Sequence, residues 1–299
     1  MRKIFLLVLL VAFQCLLFGQ NSKKTTNEKA SGNKNTGYCN VKGGKLYYEE
    51  QGTGMPLIMI HAGMLDSRMW EDQVAAFSKQ YRVITYDARR HGRSQTDSVS
   101  FSHVDDLAAL MDCLSIKKAV ILGLSLGGYV IIDFALAYPE KVIGLIPVSP
   151  GLTGYDFKDP QVMEYREKMK TCQTWEQVVE CMLRPWFDGP QRMPGQADTL
   201  IRKKAMAMYM ENLKNFPRGL KEVLSDPPAI KRLSEIRKPV LVVVGDLDQP
   251  GILEIAGMME KQIPGAKKTV IKGAAHLVSM EKPEEFNRVV MAFLATLRN

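Results

Sequence analysis

Histidine and cysteine are scarce in this chain, at four and five residues among 299, and neither is clustered. No Cys-x-x-Cys occurs and no Cys/His spacing suits zinc, so no metal centre is expected. Glycine-rich dinucleotide fingerprints and the phosphate loop are missing as well, and no cofactor is expected. Only residues 1–20 form an apolar run long enough to concern a membrane, which excludes a multi-pass membrane protein. The net charge of +8 hints at a polyanion until it is located. Arg2 and Lys3, with the four lysines of 20–37 set against Glu28, account for a net five of those charges, leaving +3 for everything from Tyr38 onward. A body with so small an excess has no nucleic-acid stripe, so nucleic acid is not an expected partner.

What is there begins with the start of the chain. Met1–Gln20 (MRKIFLLVLLVAFQCLLFGQ) sets two cations before an apolar run that ends at Gly19. This is the pattern of a signal peptide, with cleavage near Gly19 or Gln20 and an exported product, periplasmic or secreted. After cleavage no stable membrane insertion is expected; a retained single-span anchor is the alternative. Cys15 suits lipid attachment poorly because bulky Phe13 and Gln14 precede it. Residues 21–37 (NSKKTTNEKASGNKNTG) have no large apolar side chain and are expected to be a flexible linker. Cys39, Cys113, Cys172 and Cys181 then remain. Export permits disulfides among them, while a chain of this size can equally bury free thiols.

From Lys45 onward, short apolar runs alternate with amphipathic stretches. Leu57–Ile60, Val83–Tyr86, Ala119–Leu122, Val142–Val148 and Val240–Val244 are nearly continuous in apolar residues, as strands buried on both faces must be. Helical patterns lie between them, near Trp70–Ser78, His103–Leu114, Leu126–Ala137, Ile252–Gln262 and Pro283–Leu297. The alternation predicts an α/β fold with a mostly parallel, doubly wound sheet. Its two parts span 38–151 and 236–299. Between them, 152–235 has helical patterns and no good strand, and is expected to form a helical cap. That segment holds seven methionines, a soft residue suited to apolar ligands.

The chemistry centres on Gly123-Leu124-Ser125-Leu126-Gly127-Gly128. An apolar strand runs into it and a helix follows, the context that makes G-x-S-x-G meaningful. Ser125 then stands exposed on a sharp turn at a helix N-terminus, beside unpaired N–H groups. Its hydroxyl needs a base. His276 follows the last strand-like run, whereas His103 reads as a surface or capping residue at a helix start and His91 as part of a polar turn. An acid to orient the base is expected after Val240–Val244. Asp248 lies further out on that loop than Asp246, which is the alternative. For the oxyanion, Leu126 N–H is one donor and Gly63 the second, with Met64 as its alternative. Met64 and Trp186 are expected to line the substrate pocket.

These motifs resemble the α/β-hydrolase superfamily, in particular its small cap-bearing esterases, enol-lactonases and cofactor-free haloperoxidase-like members. The likeness runs from about Lys45 to the end. Beyond GLSLGG it rests on HAGMLDSRMW (61–70), YDARRHGRS (86–94), GDLDQP (245–250) and GAAHLVSMEKPEEF (273–286). The resemblance implies Ser125 as nucleophile, Asp248 as acid and His276 as base, with Asp87 structural. Two positions depart from the family pattern: Ala62 and Arg90 stand where the family usually has glycine. The implied activity is cofactor-independent hydrolysis of small to medium, partly apolar carboxylic esters or lactones through an acyl-enzyme. Carbon–carbon bond hydrolysis or perhydrolysis with the same residues is the alternative, and a non-catalytic ligand-binding relative is a third. The aspartate nucleophile of haloalkane dehalogenases and epoxide hydrolases is excluded by Ser125.

Overall fold

The structure, a computed structural model, describes residues 34–97, 99–215 and 221–297. The expected signal segment and residues 21–33 of the expected linker lie outside the described residues. The linker does not extend to Gly37. Asn35–Val41 forms β1, paired antiparallel with β2 (Gly44–Gln51), and Gly37 lies opposite Tyr48. Small polar residues suffice there because an outer strand takes its hydrogen bonds from its neighbour and buries little.

In chain order the sheet continues with β3 (Pro56–Ile60), β4 (Arg82–Tyr86), β5 (Gln95–Thr96), β6 (Ala119–Leu124), β7 (Val142–Val148), β8 (Leu241–Gly245) and β9 (Lys267–Ile271). The spatial order is β1-β2-β4-β3-β6-β7-β8-β9, with β5 paired to β2 off this path. From β4 to β9 neighbours are parallel; β2 meets β1, β4 and β5 antiparallel.

Alternate side chains of the central strands enter two separate cores. Ile58, Ile60, Ile121, Val242 and Val244 enter one; Leu57, Met59, Val120, Leu122 and Val243 enter the other. Burial on both faces is what the continuous apolar runs required. The helices are α1 (Glu71–Phe77), α2 (His103–Cys113), α3 (Leu126–Ala137), α4 (Pro160–Met169), α5 (Trp175–Leu183), α6 (Thr199–Asn215), α7 (Pro250–Gln262), α8 (Val278–Glu281) and α9 (Pro283–Thr296). Residues of α2, α3 and α7 close the first core, and those of α1, α5, α6 and α9 the second. Helices α4, α5 and α6 all lie between β7 and β8. Among the described residues of that insertion, the β contact is a single bridge from Glu222 to Phe101.

The sheet order changes direction at β3, which has β4 on one side and β6 on the other. Loops at the carboxyl ends of β3 and β6 therefore emerge side by side, where open α/β sheets bind ligands. Register enforces it, since Ile60 pairs with Gly123.

The open question of the cysteines is answered, and one expectation needs correction. Cys39 and Cys113 are joined in a disulfide that ties β1 to the end of α2, with Cα atoms 6.0 Å apart. Cys172 and Cys181 are free thiols, their sulfurs 3.7 Å apart. His103 is no surface residue: it is 4% exposed, and the helix cap is its neighbour Ser102, whose Oγ accepts from the Asp105 amide. Burial pushes the His103 imidazole down to about 3, so it is neutral.

Candidate active site

Ser125 joins β6 to α3 with φ +55° and ψ −103°. Such a backbone costs of order 1–3 kcal/mol in a residue with a side chain and persists only where neighbours hold it. Here they do. The Ser125 amide donates to Val148 O at 3.0 Å, and its carbonyl accepts from Gly151 at 3.0 Å and Tyr129 at 3.2 Å. The surrounding glycines are required by contact. A Cβ on Gly123 would lie 2.2 Å from Gly127 O, one on Gly127 2.4 Å from Ile60 O, and one on Gly128 2.7 Å from Pro150 Cα.

His276 lies in the loop after β9, and Asp248 in the loop after β8. Nδ1 of His276 donates to Oδ1 and Oδ2 of Asp248, each at 3.1 Å, and the residues are 3% and 1% exposed. Asp246 serves a different purpose. Its Oδ1 accepts from the Gly273 amide at 2.7 Å, at the base of the loop that carries His276. The same loop has a further support that sequence reasoning missed. Glu281 accepts from the Ala275 amide at 2.9 Å and pairs with Arg192 of the insertion at 2.7 Å. Burial pushes the Glu281 carboxyl up, and Arg192 and the Ala275 amide only partly offset this.

The loop after β3 is arranged by two buried histidines. His61 Nδ1 donates to Ala62 O at 2.7 Å, and its Nε2 accepts from the Ala88 amide at 2.8 Å. His91, expected in an ordinary polar turn, is 5% exposed, and its ring packs edge-on against His61 with centroids 4.9 Å apart. His91 Nδ1 donates to Arg89 O at 3.0 Å, leaving Nε2 to accept from the Met64 amide at 3.1 Å. Burial first, and then the neighbouring His61, push the His91 imidazole well down, consistent with this neutral tautomer. The Met64 N–H is thus already used, which removes Met64 as the alternative oxyanion donor. Its neighbours are used too: the Ala62 amide meets Met69 Sδ at 3.4 Å, and the Gly127 amide donates to His61 O at 3.2 Å. Gly63 and Leu126 stand between these occupied amides.

The two departures from the family pattern have different outcomes. Arg90 has φ +74°, the left-handed backbone that glycine adopts freely, so the turn is kept and the arginine is strained into it. At residue 62, alanine is simply accommodated, fully buried. Asp87 is structural, accepting from the amides of Ser67 at 2.9 Å and Arg93 at 2.8 Å.

Ser125 and His276 line one pocket of about 180 Å³. Ala62, Gly63 and Met64 from the loop after β3 line it, as do Met182, Trp186 and Tyr209 from the insertion. Trp186 packs against the His276 ring with centroids 4.8 Å apart. Met64 and Trp186 are both among the residues that line this cavity. Of the seven methionines in the insertion, Met182 is the one that reaches it, while Met163 and Met193 are exposed. Tyr209 was not anticipated. A lone tyrosine on a helix carries no signal of what it faces.

Comparison with known proteins shows the family of the fold. The profile of the alpha/beta hydrolase family matches residues 57–289. The carboxylesterase YbfK of Bacillus subtilis (strain 168) is 28% identical over 272 residues, covering 86% of each chain. A 2-hydroxy-6-oxononadienedioate/2-hydroxy-6-oxononatrienedioate hydrolase of Burkholderia vietnamiensis is 28% identical over 266 residues, 84% of this chain and 91% of that one. The crystal structure of the carboxylesterase CesB (YbfK) from Bacillus subtilis superposes with a TM-score of 0.71 at 25% identity, over 88% of this chain and 92% of that one. With the profile spanning most of the sequence and the strand order, the serine turn and the pocket all in place, the chain belongs to the alpha/beta hydrolase family.

Proposed function

We propose that the protein is a cofactor-independent serine esterase that hydrolyses small, partly apolar carboxylic esters or lactones. The observation that carries this reading is the shared pocket: Ser125 on its strained turn opens into the same small cavity as His276, whose other ring nitrogen is held by Asp248. Ser125 Oγ attacks the ester carbonyl while His276 Nε2 takes its proton. Asp248 fixes the tautomer and stabilises the imidazolium. The amides of Leu126 and Gly63 receive the oxyanion. Return of the proton to the leaving alcohol yields an acyl-serine. Water, deprotonated by His276, then releases the acid.

Carbon–carbon bond hydrolysis with the same residues is the second reading, favoured by the Burkholderia relative. It stands behind the first because no residue described as lining the pocket carries a fixed positive charge for a dicarboxylate substrate. The pocket is also smaller than the roughly 300–1,000 Å³ usual for ligand sites, which favours short acyl groups.

Export through the N-terminal segment belongs to the same proposal. The Cys39–Cys113 disulfide supports it, because such bonds persist in oxidising compartments. N-terminal sequencing of the exported protein tests it: a start near Gln20 or Asn21 is expected, and retention of Met1 speaks for the anchor.

The enzymatic reading is tested by fluorophosphonate labelling, with turnover of p-nitrophenyl esters, lactones and ring-fission diketones. Ser125 is expected to carry the label, and Ser125→Ala to lose a factor of order 10³–10⁶ in turnover. Unchanged ester hydrolysis in that variant overturns the proposal.

A further inference from the structure

Asn212 lies on α6, in the insertion, and is 2% exposed. A buried amide has to be satisfied, and an asparagine inside a helix gains nothing from helix propensity. Its partners here are specific. Nδ2 donates to Met64 O at 3.2 Å and to Asp66 Oδ2 at 2.9 Å, while Oδ1 accepts from the Gly92 amide at 2.6 Å. Two acceptors face the NH₂ and one donor faces the oxygen, so the site requires an amide in a single orientation.

What it grips is strained. Met64 has φ +61°, a backbone that side chains other than glycine rarely adopt. Its N–H is held by His91 and its C=O by Asn212. Asn212 also accepts from the Gly92 amide, next to His91, so it touches the turn that supplies the other grip on Met64. The residue before Met64 is Gly63. About one helical turn before Asn212 is Tyr209, which also lines the pocket.

Resting on the esterase reading above, we propose that Asn212 is a positioning residue by which the insertion holds the oxyanion loop in its working shape. Without it Met64 relaxes out of the left-handed region, and the Gly63 amide leaves the place where the tetrahedral oxyanion forms. Met182 and Trp186 line the pocket from other segments than α6 and keep their places, so ground-state binding changes little. The signature is therefore a loss in kcat with little change in KM.

The test uses the full chain and p-nitrophenyl acetate. Asn212→Ala is expected to lower kcat about 10²-fold, the effect of a 1 Å misplacement at a reacting centre, with KM within about threefold. Asn212→Ser, smaller in its perturbation, carries the same comparison if Asn212→Ala does not fold, and circular dichroism and melting verify each variant. Coupling supplies the second readout. In a Met64→Gly background, where residue 64 adopts positive φ without strain, losing Asn212 is expected to cost under about tenfold. A residue needed only for overall stability would show the same loss in both backgrounds. A folded variant with wild-type kcat, a change confined to KM, or equal losses in both backgrounds overturns the assignment. Fluorophosphonate labelling of the native protein separates the two readings. An unlabelled native Ser125 rejects the esterase proposal, whereas a labelled one beside unaffected Asn212 variants rejects only the role of Asn212.

Discussion

Arg192 Nη1 stands 2.7 Å from Glu281 Oε2, and the two side chains are only 12% and 5% exposed. The same guanidinium donates to Gly273 O at 2.9 Å, and Glu281 receives the Ala275 amide, so the loop bearing His276 is fastened from both sides. Removing one partner of a buried pair typically costs about 3 kcal/mol or more, because a charge is stranded. Arg192→Ala should therefore melt roughly 10 °C lower at neutral pH. The deficit should depend on pH. Glu281 is already raised by burial, so its protonated form favours the fold. That contribution is complete below the ordinary glutamate range and fades as pH rises through the folded-state value. Loss of the arginine raises that value further. The variant should thus recover stability towards pH 5 relative to pH 8, measured as melting temperature against pH. A deficit that grew on acidification would contradict the pairing.

The two aspartates after β8 divide their work in a way kinetics can read. Asp248 meets His276, and Asp246 meets Gly273. Asp248→Asn should lower kcat by about 10⁴, as for acids that orient a catalytic histidine. Asp246→Asn should cost under about tenfold, because it loosens only the base of a loop that Glu281 and Arg192 also hold. The reverse ranking would move the acid to Asp246.

Most of the framework was legible because it follows from burial. Strands covered on both faces cannot hide their apolar runs, and a serine set between glycines where a strand meets a helix marks a turn too tight for larger neighbours. What stayed illegible depends on partners distant in sequence. β1 and β2 are half-exposed and short of apolar residues. Cys39 and Cys113 are separated by 74 positions, and nothing local marks them as a pair. His91, Asn212 and Glu281 are ordinary polar residues until the fold buries their side chains against the amides of Met64, Gly92 and Ala275.

Ser115 offers a test of the backbone that is independent of the site. Its φ is +54°, directly after the end of α2. The Ile116 amide donates to Met111 O at 2.8 Å and the Ser115 amide to Asp112 O at 3.1 Å, the paired bonds of a Schellman turn. Glycine is the usual residue at that position because no Cβ meets the carbonyl there. Ser115→Gly should stabilise the protein by up to about 1 kcal/mol, a rise of roughly 2–4 °C in Tm, without altering ester turnover. A lower Tm would mean that the serine side chain makes contacts worth more than the backbone strain it imposes.

Two residues of the insertion, Trp186 in the pocket lining and Asn212 against the Met64 loop, should give variants that behave in opposite ways. Trp186 packs its ring on His276 and walls the cavity, yet the bonds from His276 to Asp248 do not involve it. Trp186→Ala should enlarge the space for the acyl group and shift chain-length preference among p-nitrophenyl esters by about 10–200-fold, the range of apolar-pocket contacts. Reaction with a small fluorophosphonate should persist, since Ser125, His276, Asp248 and the Leu126 and Gly63 amides keep their supports. Asn212 touches one of those supports and should act on kcat instead. Should Trp186→Ala abolish labelling while the protein stays folded, the tryptophan would be holding His276 in place, and selectivity would not be separable from assembly of the site.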